Sequence, residues 1–91
     1  MNDNKTAFSF IIDILNYLKV ENIETLDYDN IYFETKTNYY CICSPHEGTN
    51  YKWLFRKNKK KNFDKWSNSD EERLYENISD LFSRIFKIRR F

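Results

Sequence analysis

Residues 31–44, IYFETKTNYYCICS, contain two short runs in which β-branched and aromatic residues alternate with other residue types. Such alternation is typical of strands, because successive side chains on a strand point to opposite faces. We therefore predict strands at Ile31–Lys36 and Tyr39–Ser44, joined at Lys36-Thr37-Asn38 as a tight antiparallel hairpin. This hairpin places an antiparallel sheet at the centre of the fold.

The period of two continues on both sides of the hairpin. A weaker strand is predicted from Ile23 to Tyr28, and another from Tyr51 to Arg56. In the latter, Trp53 and Phe55 share one face, which we predict to be buried, while Lys52, Leu54 and Arg56 share the other.

Two segments between strands are predicted to be loops. Residues 44–50 contain the only proline and the only glycine of the chain, and residues 57–62 are too charged to be buried. Residues 63–66, Phe-Asp-Lys-Trp, could add a short fifth strand at the edge of the sheet.

A helix is predicted at each end of the chain. The first begins at a Thr6 cap and ends at Val20. The last begins at Ser69, which with Glu72 has the spacing of a capping box. Apolar residues at three- and four-residue spacing give each helix one apolar face: Phe8, Ile11, Ile12, Leu15 and Leu18 in the first, and Leu74, Ile78, Leu81, Phe82, Ile85 and Ile88 in the last.

The predicted fold class is α+β, with the order α-β-β-β-β-α and four or five strands. An antiparallel meander with both terminal helices on one face buries both helix stripes in a single pair of layers. The 91 residues are predicted to form one domain, 1–91. Aromatic residues make up 19% of the chain, and each buried ring removes roughly 150–250 Å² from water, so a small domain can be stable without disulfides.

The sequence favours a cytoplasmic protein that does not enter a membrane. It has no apolar run of about 18 residues and no signal peptide pattern. Cys41 and Cys43 stand one residue apart on a predicted strand, about 6–7 Å from each other, which is poor geometry for a disulfide. No cofactor and no bound metal are predicted.

Charge is unevenly distributed along the chain. Residues 1–51 carry three lysines and eight acids, whereas residues 52–66 carry seven basic residues and one acid. Residues 67–91 are balanced, with five of each sign. The formal net charge of +1 therefore conceals one strongly basic segment.

This basic segment, residues 52–66, also contains aromatic residues. Clustered Lys and Arg bind phosphate backbones, and exposed rings beside them can stack on bases. The alternative is a solvated, lysine-rich hairpin that protects an edge strand from pairing with other molecules. If the segment binds a partner, the predicted contact residues are Lys52, Arg56, Lys57, Lys59, Lys60, Lys61, Lys65 and Trp66.

Two other patterns suggest chemistry less strongly. Cys41, Cys43 and His46 could approach one metal, but a structural zinc site needs four ligands and no second cluster is present, so buried thiols and a loop histidine are the simpler interpretation. Glu34-Thr35-Lys36, preceded by Asp27 and Asp29, has the E-x-K form of PD-(D/E)xK metal-dependent nucleases. The chain has one glycine, which is too few for a glycine-rich phosphate-binding loop. It also has one histidine, so any Ser-His-Asp triad would have to use His46.

The apolar pattern resembles the small α-β-β-β-α accessory domain of type I restriction endonuclease-like proteins. The resemblance lies in residues 8–15, 28–33, 42–43, 53–55 and 78–82. It includes no catalytic motif, and it implies binding or structural work because that domain is non-catalytic in the family. In type, though not in motif, the chain is also similar to small phage-encoded inhibitors of nuclease defence systems such as anti-CRISPR proteins.

We therefore predict a non-enzymatic protein that contacts nucleic acid or a nucleoprotein complex through the hairpin carrying residues 52–66. The alternatives are an anti-CRISPR-like inhibitor that binds a defence nuclease, and a PD-(D/E)xK-like nuclease. A homodimer is also compatible with the sequence.

Overall fold

The computed structural model describes residues 3–26, 29–60 and 69–86. In these residues the elements are α1 (Asp3–Tyr17), β1 (Glu21–Leu26), β2 (Asn30–Glu34), β3 (Asn38–Cys43), a 3₁₀ turn (Glu47–Thr49), β4 (Trp53–Lys59), β5 (Glu71–Tyr75) and α2 (Ile78–Phe86). The strands form one antiparallel sheet in the order β1-β2-β3-β4-β5, so each strand pairs with its neighbour in sequence. The predicted α+β class and antiparallel meander are confirmed.

One face of the sheet forms the core together with both helices. Its central cross-strand rows align Ile31 with Ile42 and Phe33 with Tyr40, and the two Phe33 and Tyr40 rings stack with centroids 4.9 Å apart. The helices add fully buried side chains to the same cluster: Phe8, Ile11 and Leu15 from α1, and Leu81 and Phe82 from α2. Both helices therefore cover the same face, as predicted.

Helix α1 begins and ends earlier than predicted. It starts at Asp3, so Thr6 lies inside the helix and is not its cap. It ends at Tyr17, because Lys19 adopts a left-handed conformation (φ 59°) that terminates the helical hydrogen-bond pattern before Val20.

The central hairpin is confirmed, with a shift in its turn. β2 ends at Glu34 rather than Lys36, and the Thr35 N–H donates to the Asn38 carbonyl at 3.0 Å to close the turn. The first strand is also shifted, to Glu21–Leu26 from the predicted 23–28.

Strand β4 extends into the segment that was predicted to be a loop. It begins at Trp53 rather than Tyr51 and continues to Lys59, pairing along β3 up to Asn38. The prediction was wrong for residues 57–59 because high charge does not prevent pairing when lysine side chains reach water and only the backbone is in the sheet. Asn58, between two lysines, is fully buried. The predicted edge strand at residues 63–66 lies outside the described residues.

The start of the last helix was also predicted wrongly. Residues 71–75 form β5, which pairs with β4, and the helix begins only at Ile78. Asn77 acts as its cap, since its Oδ1 accepts a hydrogen bond from the Asp80 N–H at 2.8 Å. Leu81 and Phe82 are buried as predicted. Leu74, assigned by the sequence to the helix face, is 46% exposed on β5.

Both cysteines are free thiols buried on β3. Cys41 lies opposite Tyr32 on one side and Arg56 on the other, on the sheet face that points away from the core. Within the described residues, no helix is long and apolar enough to span a membrane.

Candidate functional site

Strand β4 divides the basic residues between the two faces of the sheet. Because side chains alternate along a strand, Lys57 and Lys59 lie on the side of the buried Phe55, whereas Arg56 lies on the opposite side. Lys60 follows in the turn after the strand.

Three described residues of the basic segment 52–66 form ion pairs with carboxylates of the same chain. Lys52 Nζ lies 3.3 Å from Glu76 Oε1, at the start of β4. Arg56 Nε lies 3.0 Å from Glu72 Oε2 across the β4–β5 pair, and it also donates to Ser69 Oγ at 2.9 Å. These contacts link β4, and Lys52 just before it, to β5 and the residues beside it.

The third ion pair joins the basic segment to the acidic first half of the chain. Lys60 Nζ lies 2.9 Å from Glu34 Oε1 and 5.6 Å from the centroid of the Tyr39 ring. The hydrogen bond with Glu34 raises the pKa of Lys60. The Asn22 amide donates to the other Glu34 oxygen at 3.1 Å. The Lys60 ammonium is therefore turned towards Glu34 and Tyr39.

Lys57 and Lys59 differ from these three residues. Among the described residues, neither forms an ion pair with a carboxylate. Together with Thr37 and Asn38 they line a surface depression of about 350 Å³, which we call the lysine hollow. Lys59 is exposed and Lys57 half-buried, so both can direct an ammonium group towards an anion in this hollow.

The two sides of the lysine hollow differ in charge. On the β3 side the lining groups are the neutral Thr37 and Asn38. On the β5 side the Lys59 N–H donates to Asp70 Oδ2 at 2.8 Å, and Lys57 lies opposite Glu71, whose carboxylate pairs with Arg73 at 2.9 Å. An anion would therefore reach the two ammonium groups from the β3 side.

The eight contact residues predicted from the sequence separate into three groups. Three are held in ion pairs within the chain, and two line the lysine hollow. The remaining three, Lys61, Lys65 and Trp66, lie outside the described residues. Thr37 and Asn38 were not predicted as site residues; the only signal was their place in the β2–β3 turn, which β4 adjoins through its Asn38–Lys59 pairing.

The cysteine and histidine side chains are engaged separately. His46 is exposed and caps the 3₁₀ turn, with its Nδ1 accepting from the Gly48 N–H at 3.0 Å. Burial raises the pKa of the Cys41 thiol to about 12, with a further contribution from Cys43, and burial also raises the pKa of Cys43. Protonated thiols are poor metal ligands and poor nucleophiles. The described residues contain no group of three or more His, Cys, Asp or Glu that could hold a metal.

The E-x-K pattern is divided between a strand and a turn. Glu34 is the last residue of β2, whereas Lys36 lies beyond the strand and is exposed, so the prediction that both lie on one strand was wrong. Glu34 is engaged by Lys60, and Asp27 lies outside the described residues.

Comparison of the chain with protein-family models, with curated proteins and with solved structures found no match.

Proposed function

We propose that this chain is a non-enzymatic binding protein that contacts the phosphate groups of nucleic acid through the lysine hollow and residues 60–66 of the basic segment. The observation that carries the proposal is the position of Lys57 and Lys59, which line one hollow and whose ammonium groups form no ion pair with a carboxylate among the described residues. Phosphate binding by lysine depends on such available ammonium groups.

The surroundings of these lysines also favour an anionic ligand. Thr37 supplies a hydroxyl and Asn38 an amide, which are groups that commonly bind phosphate oxygens beside lysine. The Thr37 hydroxyl donates to Asn38 Oδ1 at 2.7 Å, which orients the Asn38 side chain and leaves its amide N–H groups as the neutral donors to a phosphate oxygen. A phosphate entering here would meet two cationic and two neutral polar side chains.

The intramolecular ion pairs reduce the number of predicted contact residues whose charge is available to a ligand. Lys52, Arg56 and Lys60 would have to leave Glu76, Glu72 and Glu34 before contacting a phosphate. Their loss should therefore weaken binding less than loss of the two lysines in the hollow. No catalytic step is part of the proposal.

Fluorescence anisotropy with a labelled oligonucleotide of about 20 nucleotides, at about 50 mM salt, tests the proposal. The variant Lys57→Gln/Lys59→Gln should bind this oligonucleotide with an affinity lower than that of the unchanged protein by about tenfold or more. The matched control, Lys19→Gln/Lys52→Gln, removes the same charge from an exposed helix-end lysine and an ion-paired lysine, and should retain most of the affinity. Equal losses in the two variants, or no binding by the unchanged protein, would contradict the proposal.

The same experiment separates nucleic acid from a protein partner such as a defence nuclease. Phosphate contacts release counterions, so their affinity falls steeply as salt rises. Absence of oligonucleotide binding, together with a salt-insensitive complex with a protein captured from the native host, would favour the inhibitor interpretation.

A further inference from the structure

Among the described residues, the two cations that line the lysine hollow both lie on strand β4. Lys57 and Lys59 are two residues apart on β4, so their Cα atoms are separated by about 6.6 Å along the strand. Neighbouring strands in a sheet lie about 4.8 Å away on either side. On one side the neighbouring groups are Thr37 and Asn38, and on the other they are Asp70 and Glu71.

Charge changes abruptly at the β5 border. The Asp70 carboxylate accepts the Lys59 N–H and brings a negative charge beside it. Glu71 and Arg73 neutralise each other through a contact of 2.9 Å. Among the described residues, the cationic strip therefore ends within one strand spacing on this side.

Double-stranded and single-stranded nucleic acids place different demands on such a strip. A duplex carries two phosphate chains, separated by a minor groove of about 6 Å or a major groove of about 12 Å. If one chain follows the lysines, the second passes over or beyond the border carrying Asp70. A single strand has one phosphate chain and can follow a narrow cationic groove.

We infer that the lysine hollow selects single-stranded over double-stranded nucleic acid, because its two cations among the described residues lie on one strand, beside the Asp70 carboxylate. This inference rests on the proposed function. The ligand class is an unpaired polynucleotide, with one phosphate seated between the two ammonium groups and the Thr37–Asn38 side. Both DNA and RNA have this backbone charge.

Competition between matched oligonucleotides tests the inference. One labelled sequence of about 20 nucleotides is used as single-stranded DNA, as single-stranded RNA and as the DNA duplex with its complement. Tighter binding of at least one single-stranded form than of the duplex, by roughly tenfold at about 50 mM salt, is the expected result. The relative affinities of the DNA and RNA arms identify the preferred backbone.

The Asp70→Asn variant tests the border directly. Asparagine retains an oxygen that can accept the Lys59 N–H but removes the negative charge, so duplex affinity should rise by a larger factor than single-strand affinity. The control Asp13→Asn removes the same charge from an exposed position on α1 and should raise both affinities equally.

Two outcomes would overturn the inference, and they are distinguishable. Duplex binding as tight as single-strand binding would contradict the selection while leaving the proposed function intact. Binding of neither form would contradict the proposed function, and the selection with it.

Discussion

The direction of each basic side chain on β4 determines whether its charge is neutralised. Arg56 points to the face that carries Glu72, whereas Lys57 and Lys59 point to the other face and line the hollow. Two residue types with the same charge and adjacent positions are therefore used differently. Arg56 pairs with the Glu72 carboxylate on the neighbouring strand, and its planar guanidinium group is well suited to such a contact. The lysines have compact ammonium groups, which remain at the surface.

The Glu34–Lys60 pair gives a prediction at the residue scale. Glu34→Gln removes the carboxylate 2.9 Å from the Lys60 ammonium, so that lysine becomes available to a phosphate beside the hollow. Affinity for a single-stranded oligonucleotide should rise roughly three- to tenfold, measured by anisotropy at low salt. Asp13→Asn is the control for the simple loss of one negative charge. If both variants raise affinity equally, Lys60 has not been released to the ligand.

The buried thiol of Cys41 gives a prediction about pH. Burial raises its pKa to about 12 in the folded protein, from 9.0 for an unperturbed thiol. Above pH 9 the unfolded chain loses this proton while the folded chain keeps it, so the free energy of unfolding falls as pH rises from 9 towards 12. Below pH 9 both states hold the proton and the thiol contributes no pH dependence.

Urea unfolding of the unchanged protein and of Cys41→Ala at pH 8 and pH 10 measures this effect. The loss of stability between the two pH values should be smaller in the variant by about 1 kcal/mol. Comparison with the variant removes the contributions of the tyrosines and lysines that titrate in the same range. Identical losses would show that the Cys41 thiol ionises as readily in the folded state as in the unfolded one.

Single residues also show what the sequence could predict about the site. Lys57 and Lys59 were predicted as contacts from the density of basic residues alone. The sequence could not separate them from Lys60, because that distinction depends on Glu34, which is 26 positions away in the chain and becomes adjacent only through the pairing of β2, β3 and β4. Asn38 could not be recognised as a site residue for the same reason, because it becomes adjacent to Lys59 only through the pairing of β3 with β4.

At the scale of elements, the junction between β5 and α2 shows how a strand can resemble a helix in sequence. Ser69 and Glu72 have capping-box spacing, and Leu74, Ile78 and Leu81 continue at four- and three-residue intervals. Glu72 and Leu74 are also two residues apart, which is the spacing of side chains on one face of a strand. Pairing with β4 provides hydrogen-bond partners for the backbone of this segment. Local spacing supported both interpretations, and the partner strand decided between them. The hairpin of residues 31–44 had no such ambiguity, because neither of its runs has helical periodicity.

The true start of α2 gives a prediction that separates the two interpretations. Asn77→Ala removes the oxygen that accepts the Asp80 N–H, and it should destabilise the protein by about 1 kcal/mol. Ser69 is the helix start that was predicted from the sequence. Ser69→Ala removes one half-buried hydrogen bond from Arg56, but Arg56 keeps its ion pair with Glu72. Its effect on urea unfolding should be smaller. A larger loss for Ser69→Ala would indicate that the helix begins there.

At the scale of the whole molecule, the two helices pack on one face of the sheet and form the core with it. Strand β4 contributes Trp53 and Phe55 to this core and also carries both lysines of the hollow. Phe55 is fully buried two residues before Lys57, so the strand that contributes to the core leads directly to the site. The antiparallel strands before Lys57, the two helices and most core residues were accessible to sequence reasoning because they follow from local periodicity, whereas β5 and the end of β4 were not. The separation of paired from available cations was not, because it depends on contacts between distant segments.

The salt dependence of single-strand binding tests the central claim most directly. Each phosphate neutralised on a single strand contributes about 0.7 to the slope of log affinity against log salt concentration. Because one phosphate lies between the two lysines, the slope for Lys57→Gln/Lys59→Gln should be shallower than that of the unchanged protein by about 0.7, while Lys19→Gln/Lys52→Gln keeps the original slope. Three equal slopes, or binding by the unchanged protein that does not respond to salt, would show that the two lysines do not contact phosphate.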